Sequence, residues 1–142
     1  MGNWDKGNIL KIAWAQALIA TLGSLYFSEV MKFIPCTLCW YQRIFMYPLL
    51  FILTVGIHIK DEKIYKYVLP LSIIGWFISL YHNLVYYGLI KEAPVLVCIV
   101  EAPCDARYIN WLGFIGIPLL SFVAFTVINV CMIVYRKEIR KN

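Results

Sequence analysis

Four stretches of this chain are too long and too apolar to suit a water-soluble fold. Ile12 to Ser28 runs for 17 residues without a charge and extends past Glu29 to Val30. Tyr41 to Ile59 follows, with Arg43 near its start and His58 near its end. Tyr67 to Ile90 covers 24 residues with only His82 ionisable, and Trp111 to Tyr135 covers 25 with no charge. About 20 helical residues cross the hydrocarbon of a bilayer. Lipid offers the backbone no hydrogen bonds, so a spanning segment must satisfy its own, and a helix does. The fold expected is therefore all-α: an integral membrane four-helix bundle, one domain over residues 1–142, with spans near 10–31, 41–59, 67–90 and 111–135. Pro48, Pro70 and Pro118 lie in or near these spans, where neighbouring helices can satisfy the freed carbonyls.

Composition agrees. The chain is 62% hydrophobic and only 15% charged, too apolar for a soluble domain of this length. The net charge of +5 is scattered over short segments. It forms no single basic stripe, so nucleic acid is not an expected partner. Residues 1–8 are polar with two glycines, and the apolar run after them is long enough to span, so no cleavable leader is expected. Trp40, Tyr41, Tyr86, Tyr87 and Trp111 fall near span ends, as in an aromatic belt.

Lys and Arg set the orientation. The N-terminus, the 60–66 turn and the C-terminal tail hold nine of them (Lys6, Lys11, Lys60, Lys63, Lys66, Arg136, Lys137, Arg140, Lys141). The other side holds four: Lys32, Arg43, Lys91 and Arg107. The positive-inside rule places both termini in the cytoplasm. The cysteine pairs Cys36/Cys39 and Cys98/Cys104 then face outward, where disulfides persist.

Cys36-Thr37-Leu38-Cys39-Trp40-Tyr41-Gln42-Arg43 is the stretch that carries chemistry. The thiolate is the reactive form of cysteine, and a helix N-terminus or a nearby Arg lowers its pKa. With helix starting near Cys36, Cys39 and Arg43 are i and i+4 neighbours on one face. A disulfide between two cysteines so close contributes only about 2 kcal/mol by loop entropy, so it suits exchange better than stapling. The competing readings are a zinc half-site or two inert core cysteines. Cys98 and Cys104, flanked by Pro94 and Pro103, lie in a loop apolar enough to rest on the membrane surface. They form a second exchange pair, a loop staple, or half of a zinc clamp whose spacing is wider than usual. His82 is an intramembrane ionisable residue, which points to function by default; the alternative is a neutral ring bonded to a neighbouring helix. Gln16, Asn83 and Asn129 are expected to make interhelical polar contacts. His58 is expected to be solvated, and Cys131 to be core packing.

These residues resemble the DsbB/BdbC family of membrane thiol–quinone oxidoreductases, and most closely its small Gram-positive-type BdbC members. The likeness rests on Cys36-x-Leu38-Cys39-x-x-Gln42-Arg43, on Tyr81-His82-Asn83-Leu84, on the second outer cysteine pair, and on Trp111-Leu112-Gly113 with Pro118. It covers all four spans, with a second outer segment shorter than in longer members. The resemblance implies disulfides Cys36–Cys39 and Cys98–Cys104, with all four cysteines catalytic. Cys98 and Cys104 take electrons from a secreted or membrane-anchored thioredoxin-like thiol oxidase of the DsbA/BdbD kind. Cys36 and Cys39 pass them to a membrane quinone, menaquinone or ubiquinone, with Cys39 nearer the ring. Arg43, His82 and Gln42 are the implied quinone-binding residues, and no metal is implied. The implied location is the bacterial cell membrane with the cysteines on the extracytoplasmic face. Two other readings stand beside it. One is a non-catalytic membrane subunit with structural disulfides or a zinc clamp. The other is an enzyme like the quinone-epoxide reductases, which place their Cys-x-x-Cys at the opposite end of the chain.

Overall fold

The computed structural model describes residues 5–32, 37–91 and 116–141. They form four helices: α1 Lys6–Glu29, α2 Thr37–Ile59, α3 Tyr65–Tyr86 and α4 Ile117–Lys141. All four are long and apolar enough to cross a membrane, and there is no strand among the described residues. The protein is an all-α four-helix membrane bundle.

Each helix packs on its chain neighbours, and α4 closes the ring on α1. Cross-helix bonds fix the alternation. Trp14, early in α1, donates Nε1–H to Thr54 Oγ1, late in α2, at 2.8 Å. Ser72, in the first half of α3, donates to Asn129 Oδ1, at the middle of α4, at 2.6 Å. Asn83, late in α3, donates to the Pro118 carbonyl at the start of α4 at 2.9 Å. Successive helices therefore run antiparallel, and α1 begins at the end where α4 finishes. The α2–α3 turn shares that end. The residues around Cys39, Tyr86 and Gly116 share the opposite end.

The helices are apolar on every side, for two reasons. Phe51, Val55, Phe77, Ile19 and Leu22 are mostly exposed, which fits a surface wetted by lipid. Inward, Leu49, Leu53, Val68, Phe125, Ile128 and Met132 are fully buried with Ala13, Ala17 and Ala124. Lipid is as apolar as these side chains, so helix association there rests on close packing and interhelical hydrogen bonds. Small residues permit the close approach. A Cβ at Gly75 would strike the ring of Phe125, and one at Gly56 would strike Ile64. A polar seam stitches α3 to α4: besides Ser72–Asn129, Trp76 Nε1–H donates to Thr126 Oγ1 at 3.0 Å.

Two helix ends have explicit stops. At the end of α2 the Asp61 N–H reaches back to the Gly56 carbonyl at 3.0 Å, and Lys60 takes the left-handed conformation at φ 53°. At the end of α3 the Gly88 N–H bonds the Val85 carbonyl and the Leu89 N–H bonds the Leu84 carbonyl, at 3.0 and 2.9 Å. Gly88 sits at φ 73°. This is a Schellman stop, with glycine where φ must be positive. It ends the helix at Tyr86, although the apolar run continues to Ile90. His82 is thus four residues, or about 6 Å, from the helix end on a 1.5 Å rise, about half the depth that the apolar run alone suggests. Conversely α2 starts at Thr37, four residues ahead of its apolar run, and so takes Cys39 into its first turn.

Candidate functional site

The first two turns of α2 and the last two of α3 face each other at the Cys39 end of the bundle. Cys39 is the third residue of α2 and is half-buried. It packs against the buried cluster of Leu38 and Val85, which Ile78 and Tyr81 also join. A helix N-terminus is electropositive, so this position favours a thiolate if one forms.

Gln42 and Arg43, three and four residues on, flank the Cys39 face and reach in opposite directions. Gln42 turns towards α3, where its Nε2 lies 3.0 Å from His82 Nδ1. Both side chains are deeply buried, at 6% and 2% exposure. An amide NH2 can only donate, so Nδ1 accepts and the neutral ring carries its hydrogen on Nε2. Arg43 turns towards α1 and is half-buried. Its Nη2 donates to the Ser24 carbonyl at 3.0 Å and to the Ser28 hydroxyl. The guanidinium also lies over the Trp40 ring, 5.6 Å from its centroid, within cation–π range. Both α1 bonds use Nη2, so Nη1 and Nε are not spent on them.

Asn83, beside His82, donates to two carbonyls, Ser79 at 2.8 Å and Pro118 at 2.9 Å. Those bonds fix its side chain and leave Oδ1 a buried acceptor with no donor. Of the residues singled out from the sequence, Cys39, Gln42, Arg43 and His82 come together here. Cys36, Cys98, Cys104 and Arg107 lie outside the described residues, as do the expected pairings Cys36–Cys39 and Cys98–Cys104. Asn83 and Asn129 make the interhelical contacts expected of them, whereas Gln16 makes none among the described residues. Cys131 packs half-buried against the main core, and His58 is exposed. No group of three or more metal-ligating side chains occurs among the described residues.

Ser24 and Ser28 were not anticipated. Their spacing of four, in an otherwise apolar helix, puts two oxygens on one face. That is a visible signal, but which helix they face is not written in it.

Comparison with known proteins bears on what this arrangement does. A family model described as "Disulfide bond formation protein DsbB" matches residues 8–135. The disulfide bond formation protein C of Bacillus subtilis (strain 168) is 49% identical over 133 residues, 91% of this chain and 93% of the relative. The probable disulfide formation protein C of Halalkalibacterium halodurans is 47% identical over 135 residues, 92% of this chain and 95% of the relative. A probable disulfide formation protein of Metapseudomonas resinovorans is 38% identical over 132 residues, 92% and 91% of the two chains. No solved structure matches.

Proposed function

The chain belongs to the DsbB family of disulfide bond formation proteins, and from that premise we propose that it reoxidises a secreted thioredoxin-like dithiol oxidase and passes the electrons to a membrane quinone. It is a multi-pass membrane oxidoreductase of disulfide formation. In the finer reading, Cys98 and Cys104 receive two electrons from the partner by thiol–disulfide exchange. Cys36 and Cys39 receive them in turn. Both pairs face away from the cytoplasm, as the distribution of Lys and Arg favours.

The observation that carries the quinone part is the donor set around Cys39. Arg43 keeps Nη1 and Nε beyond its bonds to α1, and His82, with its Nδ1 held by Gln42, lies at the same end of the bundle. A guanidinium and an imidazole near an apolar patch of Leu38, Val85 and Ile78 suit a ring that carries carbonyl oxygens. They suit a metal badly, because a guanidinium has no lone pair to give. A bound quinone supplies a two-electron, two-proton sink. The chain's own residues do the rest. Cys39, in the first turn of α2, offers the thiolate that the helix terminus and Arg43 stabilise. Arg43 and His82 orient the acceptor. Gln42 holds the His82 ring in one tautomer, and Ser24 and Ser28 hold Arg43 against α1.

The test is turnover. Purified protein given a reduced thioredoxin-like dithiol partner should consume added quinone one-for-one with the disulfides formed in that partner. Oxidation of the partner without quinone loss, or no oxidation at all, contradicts the reading.

A further inference from the structure

The end that carries both termini holds a groove that the thiol chemistry does not use. It lies between α1 and α2, has a volume of about 580 Å³, and is lined by Lys11, Trp14, Val55, His58 and Ile59 among others. The Trp14–Thr54 bond sets the register of its walls. One turn towards the terminus from Trp14 is Lys11, and one turn from Thr54 is His58, so both reach the same level. The groove's remaining polar groups are spent internally. Trp14 Nε1–H goes to Thr54, and the Thr54 hydroxyl goes to the Leu50 carbonyl at 2.7 Å.

Two of the basic groups at this end are ion-paired. Lys6 lies 3.7 Å from Glu62 and Lys141 lies 3.1 Å from Glu138. Among the described residues, Lys11 and His58 have neither an ion pair nor a hydrogen bond. The groove thus presents an uncommitted ammonium and an imidazole above an apolar slot that opens to lipid. Val55 and Ile59 are 55% and 63% exposed along it.

We propose that this groove binds an anionic phospholipid, with the phosphate on Lys11 and His58 and an acyl chain along Trp14 and Val55. The chemistry selects this occupant. The head of the slot offers hydrogen-bond donors and a cation, which a phosphodiester fills and a neutral head does not. The wall offers only apolar surface, which an acyl chain fills. An electrostatic preference spread over the whole basic end would depend equally on every lysine there. A site in this groove depends on two side chains and on the slot beneath them.

The experiment is native mass spectrometry of the purified full chain with dioleoyl phosphatidylglycerol or dioleoyl phosphatidylcholine. One phosphatidylglycerol should be retained about fivefold better than phosphatidylcholine, the factor one basic side chain contributes near an anionic head. Lys11→Gln with His58→Gln should bring the two lipids to parity, and Lys11→Arg should keep the preference. Val55→Trp keeps the charges but fills the slot, and should also abolish the preference. Lys137→Gln with Arg140→Gln, at the same end but outside the groove, should leave it intact. Helical circular dichroism and melting of each variant confirm that the bundle is unchanged. Equal retention of both lipids by the unaltered protein overturns the proposal. So does a preference that survives Lys11→Gln with His58→Gln, or one lost equally in the Lys137/Arg140 variant.

Discussion

Gln42 and His82, forty residues apart, meet at 3.0 Å with both side chains buried. The amide decides which ring nitrogen of the histidine carries hydrogen. Two variants of Gln42 separate its packing role from this one. Gln42→Leu removes the donor and strands Nδ1. A stranded buried group costs about 1–3 kcal/mol in water-soluble proteins, but interhelical hydrogen bonds in membranes average about 0.6 kcal/mol. The membrane figure is the better guide, because the unfolded helices also find partners in lipid. A loss of about 1 kcal/mol in detergent unfolding is expected. Gln42→Glu fits the same space but accepts rather than donates, which moves the ring hydrogen to Nδ1. Its stability should match that of the unaltered protein while quinone reduction falls. Full quinone reduction in Gln42→Glu would show that the tautomer does not matter.

Arg43 spans from α2 to α1 through one nitrogen. Arg43→Lys keeps the charge and loses the fork. A lysine that holds Ser24 or Ser28 has no second planar donor for the acceptor. The apparent KM for quinone should rise about tenfold, in the range set by one hydrogen bond to a charged group, while the cysteines still form disulfides. Ser28→Ala should give a smaller rise in the same direction. Unchanged quinone kinetics in Arg43→Lys removes this residue from the site.

Exchange with the partner proceeds through a mixed disulfide. By position in the family, the partner thiolate is expected to attack Cys98 and release Cys104, and Arg107, three residues further on, would favour Cys104 as the leaving thiolate. With a partner lacking its own resolving cysteine, Cys104→Ser should trap a covalent complex on a non-reducing gel, and Cys98→Ser should not. The reverse pattern exchanges the two roles.

The basic end of the bundle should lie in the cytoplasm and the Cys39 end outside. A membrane-impermeant thiol reagent applied to intact, reduced cells should label Cys98. Labelling only after lysis inverts the orientation.

Gly75 lies against Phe125, which is fully buried. Gly75→Ala should destabilise the bundle by about 1–3 kcal/mol through overpacking, despite the better helix propensity of alanine. Adding Phe125→Leu should return part of the loss, because the new methyl then has room. An unaltered unfolding midpoint in Gly75→Ala would show that α3 and α4 are free to separate there.

Some of this protein was decided by the chain alone. Four long apolar runs, with a single charge among them at Arg43, call for spanning helices, because lipid leaves the backbone nothing else to bond. The i, i+4 relation of Cys39 and Arg43 is local, and needs only that helix begin before Cys39. The stop at Tyr86 is marked by Gly88, the residue a left-handed helix terminus asks for, but the apolar run to Ile90 carried the expected span past it. Partnership across helices was not legible. That Gln42 faces His82 while Arg43, the next residue, faces Ser24 and Ser28 depends on how α2 is rotated between its neighbours. Helices apolar on every side encode that rotation only weakly. Close contacts at Gly56 and Gly75 and hydrogen bonds such as Ser72–Asn129 set it, and both exist only once the four helices are packed.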